Sequence, residues 1–147
     1  MVGTILLILT EGYDDMAYLS SQVILEEAGN DVISASPQGG ALKGETSSVM
    51  TVTIEEALSQ EINYIALVIV GGSKLATIPN LSTIVSQFNT DGKVIAAFDT
   101  GISALQSAGI TDGLSNDAQL IKSDNILTMK TPQDCESFAE TLAGMLV

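Results

Sequence analysis

The strongest constraint on this chain is the way short, wholly apolar runs alternate with segments of helical period. Ile5-Leu6-Leu7-Ile8-Leu9 and Ile65–Val70 carry no polar residue. They are too short for core helices and apolar on both faces, as parallel strands covered by helices are. Strands are therefore read at Ile5–Leu9, Asp31–Ser36 (closing at Pro37), Val49–Thr53, Tyr64–Val70, Lys93–Phe98 and Asn125–Met129. The Gly- and Ser-rich stretch after Pro37 reads as a loop. Between the strands, Met16, Leu19, Val23 and Ile24 share one helical face, and Gly29 supplies the stop. Leu81, Ile84, Val85 and Phe88 repeat at helical spacing, with Pro79 near the start and Gly92 at the end. Thr53-Ile54-Glu55-Glu56 has capping-box spacing and opens a brief helix. Asp99-Thr100-Gly101 turns into a helix carrying Ile102 and Leu105, and Thr131-Pro132-Gln133-Asp134 caps a last one through Phe138, Leu142 and Met145. No linker, low-complexity tract or repeat interrupts the rhythm. The expectation is one α/β domain over residues 1–147, a three-layer α/β/α sandwich around a doubly wound, mainly parallel sheet.

Composition removes much of ordinary enzyme chemistry. Histidine is absent, so the chain holds neither a Ser-His-Asp nor a Cys-His centre and no His-ligated zinc. A single cysteine, Cys135, excludes an intramolecular disulfide and every cysteine-cluster metal site. All five cationic side chains are lysines, so no arginine grips a phosphate or carboxylate. Against them stand 18 acidic residues, for a formal charge of -13. That surface repels nucleic acid and anionic membranes, and neither is expected as a partner. The amino-terminal apolar run lacks a basic flank and meets Glu11 at once, so it does not read as a targeting signal. No apolar run is long enough to span a bilayer. A cytoplasmic protein without a cofactor is the simplest expectation.

In a doubly wound sheet, ligands sit beyond the carboxyl ends of the strands where the winding reverses. The residues leaving those ends are Glu11-Gly12-Tyr13-Asp14-Asp15, Gly71-Gly72-Ser73, Asp99-Thr100-Gly101 and Met129-Lys130-Thr131. Neither a dinucleotide nor a Walker glycine pattern occurs among them. Ile95-Ala96-Ala97-Phe98 runs straight into Asp99, and Gly101 with Ala104 lets the new helix lie close to its neighbours. This is the form of a nucleophile elbow, which lifts one side chain to the top of the sheet.

With these pieces in order, the chain resembles the ThiJ/PfpI group of the class I glutamine-amidotransferase-like superfamily, which includes intracellular proteases and protein-deglycase-type stress proteins. The resemblance covers nearly the whole chain. It rests on Ile5–Leu9, Gly12-Tyr13-Asp14-Asp15, Ala28-Gly29, Ser36-Pro37, Val70-Gly71-Gly72, Lys93-Val94-Ile95-Ala96-Ala97-Phe98-Asp99-Thr100-Gly101, Ala108-Gly109-Ile110, Leu127-Thr128 and Thr131-Pro132. It implies a flavodoxin-like sandwich, self-association as a homodimer or larger homo-oligomer, and oxyanion-binding amides near Gly71-Gly72.

The departures from the family pattern fall on its chemistry. By the resemblance, the nucleophilic cysteine corresponds to Asp99, the following histidine to Thr100, and the acid beside the thiol to Ala17. The segment between Gly113 and Asp124 is also short for the family. Cys135 shares an apolar helix face with Phe138, Ala139 and Leu142 and reads as a structural thiol. The two acidic changes are mutually consistent. A carboxylate at Asp99 gains from unpaired amides at a helix start, and a second acid at residue 17 would oppose its ionisation. Aspartate also matches a cysteine sulfinate in shape and charge.

The reading is therefore a protein that binds a small polar ligand or regulates, without the family's cysteine chemistry. Candidate ligand-binding residues are Glu11, Gly12, Asp14, Gly71, Gly72, Ser73, Asp99, Thr100 and Gly101. Three alternatives stay open. Asp99 can be an N-cap alone. It can be a carboxylate nucleophile or Mg²⁺-dependent phosphoacceptor, with Thr100 or Ser103 nearby, Asp14, Asp15 and Asp99 itself as weak metal candidates, and Lys130 close to Pro132 as the late lysine of such a site. Or the cleft is unused in a scaffold. Glu11, Asp14 and Asp15 also suit a solvated acidic helix start, and Tyr13 and Tyr18 suit ordinary packing.

Overall fold

The computed structural model describes residues 3–44, 46, 48–59, 63–72, 78, 81–98, 100–111, 113–115, 119–130 and 135–146. In chain order the elements are β1 (Thr4–Leu9), α1 (Asp15–Glu27), β2 (Asp31–Ser36), β3 (Gly40–Lys43), β4 (Ser48–Thr53), α2 (Ile54–Ser59) and β5 (Tyr64–Gly71). Then follow α3 (Leu81–Thr90), β6 (Val94–Phe98), α4 (Gly101–Ser107), β7 (Ile121–Ser123), β8 (Ile126–Met129) and α5 (Cys135–Met145). The strands form one sheet in the order β3-β4-β2-β1-β5-β6-β8-β7. Every pairing is parallel except the two outer ones, β3 with β4 and β7 with β8. From β1 the chain winds outward through β2 and β4, then crosses to β5 on the other side of β1 and continues to β6 and β8. The reversal lies between β1 and β5.

The apolar runs split by the strand period of two. In β1, Ile5, Leu7 and Leu9 enter one core layer while Leu6 and Ile8 enter the other. A register shift between Thr4 and Ile5 opposite Tyr64 and Ala66 marks an irregularity in β5. It lets Tyr64 and Leu67 share a layer while Ala66 faces the opposite one. On one face of the sheet lie α1 and α5, through Ala17, Tyr18 and Leu25 and through Phe138 and Leu142. On the other lie α2, α3 and α4, through Ile54, Val85, Phe88, Ile102 and Leu105. Three layers result, as the strand–helix alternation predicts.

Local signals set the helix limits. Asp14 caps α1 by accepting from Ala17 N at 2.9 Å, and Thr53 caps α2 by accepting from Glu56 N at 2.9 Å. Helices α1, α3 and α4 each end in a glycine of positive φ, at Gly29, Gly92 and Gly109. In α1, Asn30 N reaches back to Leu25 O at 3.1 Å and Gly29 N to Glu26 O at 2.9 Å, which satisfies the last carbonyls.

Two expectations need correction. The stretch after Pro37 is not all loop, because Gly40–Lys43 pairs with β4, and a further short strand, β7, pairs with β8. The apolar stripe chosen for α1 is also not its core face. Met16, Leu19 and Val23 are 59%, 50% and 42% exposed, while Ala17, Tyr18, Ser21 and Leu25 are buried. Small residues let the helix lie close to the sheet, and Ser21 satisfies its own hydroxyl by donating to Ala17 O at 2.7 Å. The cap read at Thr131–Asp134 lies outside the described residues.

Candidate functional site

The ends of β1 and β5 meet at the winding reversal. Thr10 N donates to Gly71 O at 2.9 Å, closing the seam beyond Leu9. Gly72 has φ 132 and lies so close to the Thr10 backbone and hydroxyl that a side chain there would collide with both. Only glycine suits this backbone and this approach. On the far side of Gly72 stands Thr100, the residue before α4. Its hydroxyl gives α4 no cap hydrogen bond. Instead Thr100 Oγ1 accepts from Gly72 N at 3.1 Å and donates to Gly72 O at 3.2 Å. Thr10, Gly71, Gly72 and Thr100 therefore form one connected strip across the top of β1, β5 and the start of α4.

The other candidates take separate roles. Asp14 spends one oxygen on the cap of α1. Asp15 Oδ2 accepts from Thr46 N at 2.7 Å and also from the Thr46 hydroxyl, tying the β3–β4 connection to the start of α1. Gly12 N donates to Lys43 O at 2.9 Å, so its amide serves the same tie. Ala17 is fully buried in α1. Glu11 is exposed and borders a cavity of about 150 Å³ together with Ser36 and Gln38. Gly101 is buried at the start of α4. Asp99 and Ser73 lie outside the described residues. Among the described residues no group of three or more Cys, Asp or Glu is placed to hold a metal ion. The weak metal candidates Asp14 and Asp15 are instead engaged with backbone amides of the chain itself.

Cys135 is buried on α5, in the same layer as Phe138 and Leu142. Tyr13 and Tyr18 pack edge to face, with centroids 5.6 Å apart. Tyr18 also hydrogen-bonds Ser34 at 3.3 Å. Burial raises the Tyr18 phenol above its ordinary value, and the hydrogen bond to Ser34 partly opposes this. The sequence reading missed the cavity, because its walls come from a turn that only the β3–β4 hairpin brings near Glu11. The strand-end rule points to Glu11, but nothing in the residue types marks Ser36 or Gln38.

No membrane-spanning candidate occurs, since no helix among the described residues is long and apolar enough to cross a bilayer. Comparison with curated proteins gives no match. Solved structures are similar in fold. Drosophila melanogaster DJ-1beta matches with a TM-score of 0.82 at 21% identity, covering 99% of this chain and 91% of its own. Toxoplasma gondii DJ-1 in oxidised form gives 0.85 at 20% identity, covering 98% and 90%. A ThiJ/PfpI domain protein from Brachyspira murdochii gives 0.79 at 21% identity, covering 97% and 95%. The model of the DJ-1/PfpI family matches residues 3–116. With that match over more than half of its length, the chain belongs to the DJ-1/PfpI family.

Proposed function

We propose that this family member works as one domain over residues 1–147, by binding a small polar ligand at the strand ends rather than by cysteine chemistry. The observation that carries the reading is the bond between Thr100 and Gly72. At the position that the resemblance matches to a histidine stands a hydroxyl already engaged in both directions with the backbone of the glycine pair. A neutral hydroxyl is far too weakly basic to replace an imidazole as a general base, and this one has also spent its one proton. The buried alanine at residue 17 and the buried Cys135 support the same reading. Asp99 then stands where the family has its thiol, as a fixed counterpart of an oxidised cysteine. Oxidised Toxoplasma gondii DJ-1 has a similar fold. A regulatory, cytoplasmic protein is the setting that suits this reading.

Self-association as a homodimer or larger homo-oligomer is part of the proposal. Its support is the exposed stripe of Met16, Leu19 and Val23 on α1. An apolar helix face left in water is the usual sign of an association surface.

The test is a thermal-shift panel of divalent metals, phosphate donors, small carbonyl compounds, amino acids and nucleotides on wild type and Asp99→Ala. A ligand that binds the folded state raises the melting temperature by mass action. A shift present in wild type and absent in Asp99→Ala is the expected result. Turnover of a carbonyl compound or a peptide that Asp99→Ala abolishes would overturn the non-catalytic reading. Silence across the panel, with Asp99→Ala less stable, would reduce Asp99 to a helix cap.

A further inference from the structure

Of the five large apolar side chains that the described residues leave exposed, three lie in one line on α1. Met16, Leu19 and Val23 follow one another at intervals of three and four residues, so they share one helix face over two turns, about 10 Å. Glu26 and Glu27 stand three and four residues beyond Val23 and carry the same face on as exposed carboxylates. Helix α1 has no basic residue. Nor has α5, which covers the same side of the sheet and exposes Glu136 and Glu140. None of the five lysines lies in either helix. The stripe is apolar along its middle and acidic around it, with no cation of its own.

A second copy can cover the apolar middle, but its helix brings acids against acids, and two bodies of formal charge -13 repel as wholes. An anionic bilayer is repelled for the same reason. What complements the face is a helix with leucine-like side chains along one side and lysine or arginine at their margins. Its apolar side covers Met16, Leu19 and Val23, and its cations answer Glu26 and Glu27 where a second copy would oppose them. We propose that the α1 face docks a cationic amphipathic helix of another protein, in preference to a second copy of this chain. The inference goes beyond the ligand-binding reading. It makes self-association the weaker of two pairings on the same stripe and does not depend on it.

The probe is a fluorescent helical peptide of leucine and lysine with its leucines on one face, set against the same peptide carrying glutamate for lysine. Anisotropy with the full chain should show saturable binding of the lysine peptide, about tenfold tighter than the glutamate peptide and weakened by salt. Leu19→Lys should weaken it about tenfold, and because Leu19 belongs to neither core layer the fold is kept. Glu26→Gln with Glu27→Gln should cost about threefold. Glu55→Gln with Glu56→Gln removes the same charge from α2, on the opposite face of the sheet, and should change nothing. An equal loss in the α2 variant, or no loss in Leu19→Lys, would reduce the binding to attraction by net charge and overturn the proposal. Equal binding of the two peptides overturns it as well. Sedimentation separates its fate from that of self-association. A monomeric wild type that binds the lysine peptide through Leu19 refutes self-association alone. An assembly that the peptide neither enters nor dissociates refutes the docking proposal alone.

Discussion

Thr100 and Gly72 are held together through a single oxygen, which takes the glycine amide proton at 3.1 Å and returns its own proton to the glycine carbonyl at 3.2 Å. The contact spans 28 residues of sequence and fastens the start of α4 to the end of β5. Thr100→Val keeps the shape of the side chain and loses both bonds. Because both groups reach solvent, water replaces part of the loss, and the expected cost is about 1 kcal/mol. Thr100→Ser should stay within a few tenths. Urea midpoints at unchanged slope would check both.

Ala17 is fully buried, so restoring an acid there is costly. Ala17→Glu is expected to lose about 3 kcal/mol at neutral pH, the cost of burying a carboxylate without a partner. Burial raises the folded-state pKa of such a group, so the folded form holds its proton longer than the unfolded chain does. The penalty should shrink as pH falls from the raised folded-state value toward the ordinary carboxyl value near ~4, and be gone below it. Denaturation of variant and wild type at matched pH values would show the two curves converging in acid.

Two buried phenols set the alkaline limit. Desolvation raises Tyr64 above the ordinary 10.0, and its hydroxyl donates to Ala57 O at 2.7 Å, a bond that ionisation abolishes. Tyr18 is raised from 10.0 as well, by desolvation first. The folded chain therefore binds more protons than the unfolded chain above pH 10, and stability falls as pH rises there. Below that value both states are protonated and these groups add no slope. Tyr64→Phe and Tyr18→Phe should each flatten the decline relative to wild type, read from unfolding midpoints on either side of the transition.

The exposed stripe on α1 gives a test of self-association that does not touch the core. Leu19 is half exposed, and Leu19→Lys places a charge in the middle of the stripe. A wild type that sediments as a dimer or larger should become monomeric in this variant. Its circular dichroism should be unchanged, since Leu19 is absent from both core layers.

Much of the fold is legible in the residues because its central strands are buried on both faces and so read as continuous apolar runs. Ile5–Leu9 and Tyr64–Val70 could be little else. The outer strands escape for the opposite reason. Gly40–Lys43 buries only Leu42, and Ile121–Ser123 is three residues long, so neither carries a pattern that separates it from a loop. The face of α1 is misread because hydropathy favours Met16, Leu19 and Val23 over Ala17 and Ser21. Packing distance favours the small residues, and their polarity is hidden by a hydrogen bond within the helix. Of the candidate site, the strand-end glycines and Thr100 are legible from the order of motifs. The engagement of Asp15 with Thr46 and of Gly12 with Lys43 is not, because it depends on where a hairpin folds back.

The antiparallel strands β3 and β7 finish the sheet on its two sides, with four and three residues. Each carries one of the five lysines of the chain, Lys43 and Lys122. A long, flat margin would offer its free amides and carbonyls to any passing strand. A short margin bearing a cation offers little to pair with and makes pairing with its own copy repulsive. In so acidic a molecule, these two lysines stand where ribbon-like stacking of copies would begin.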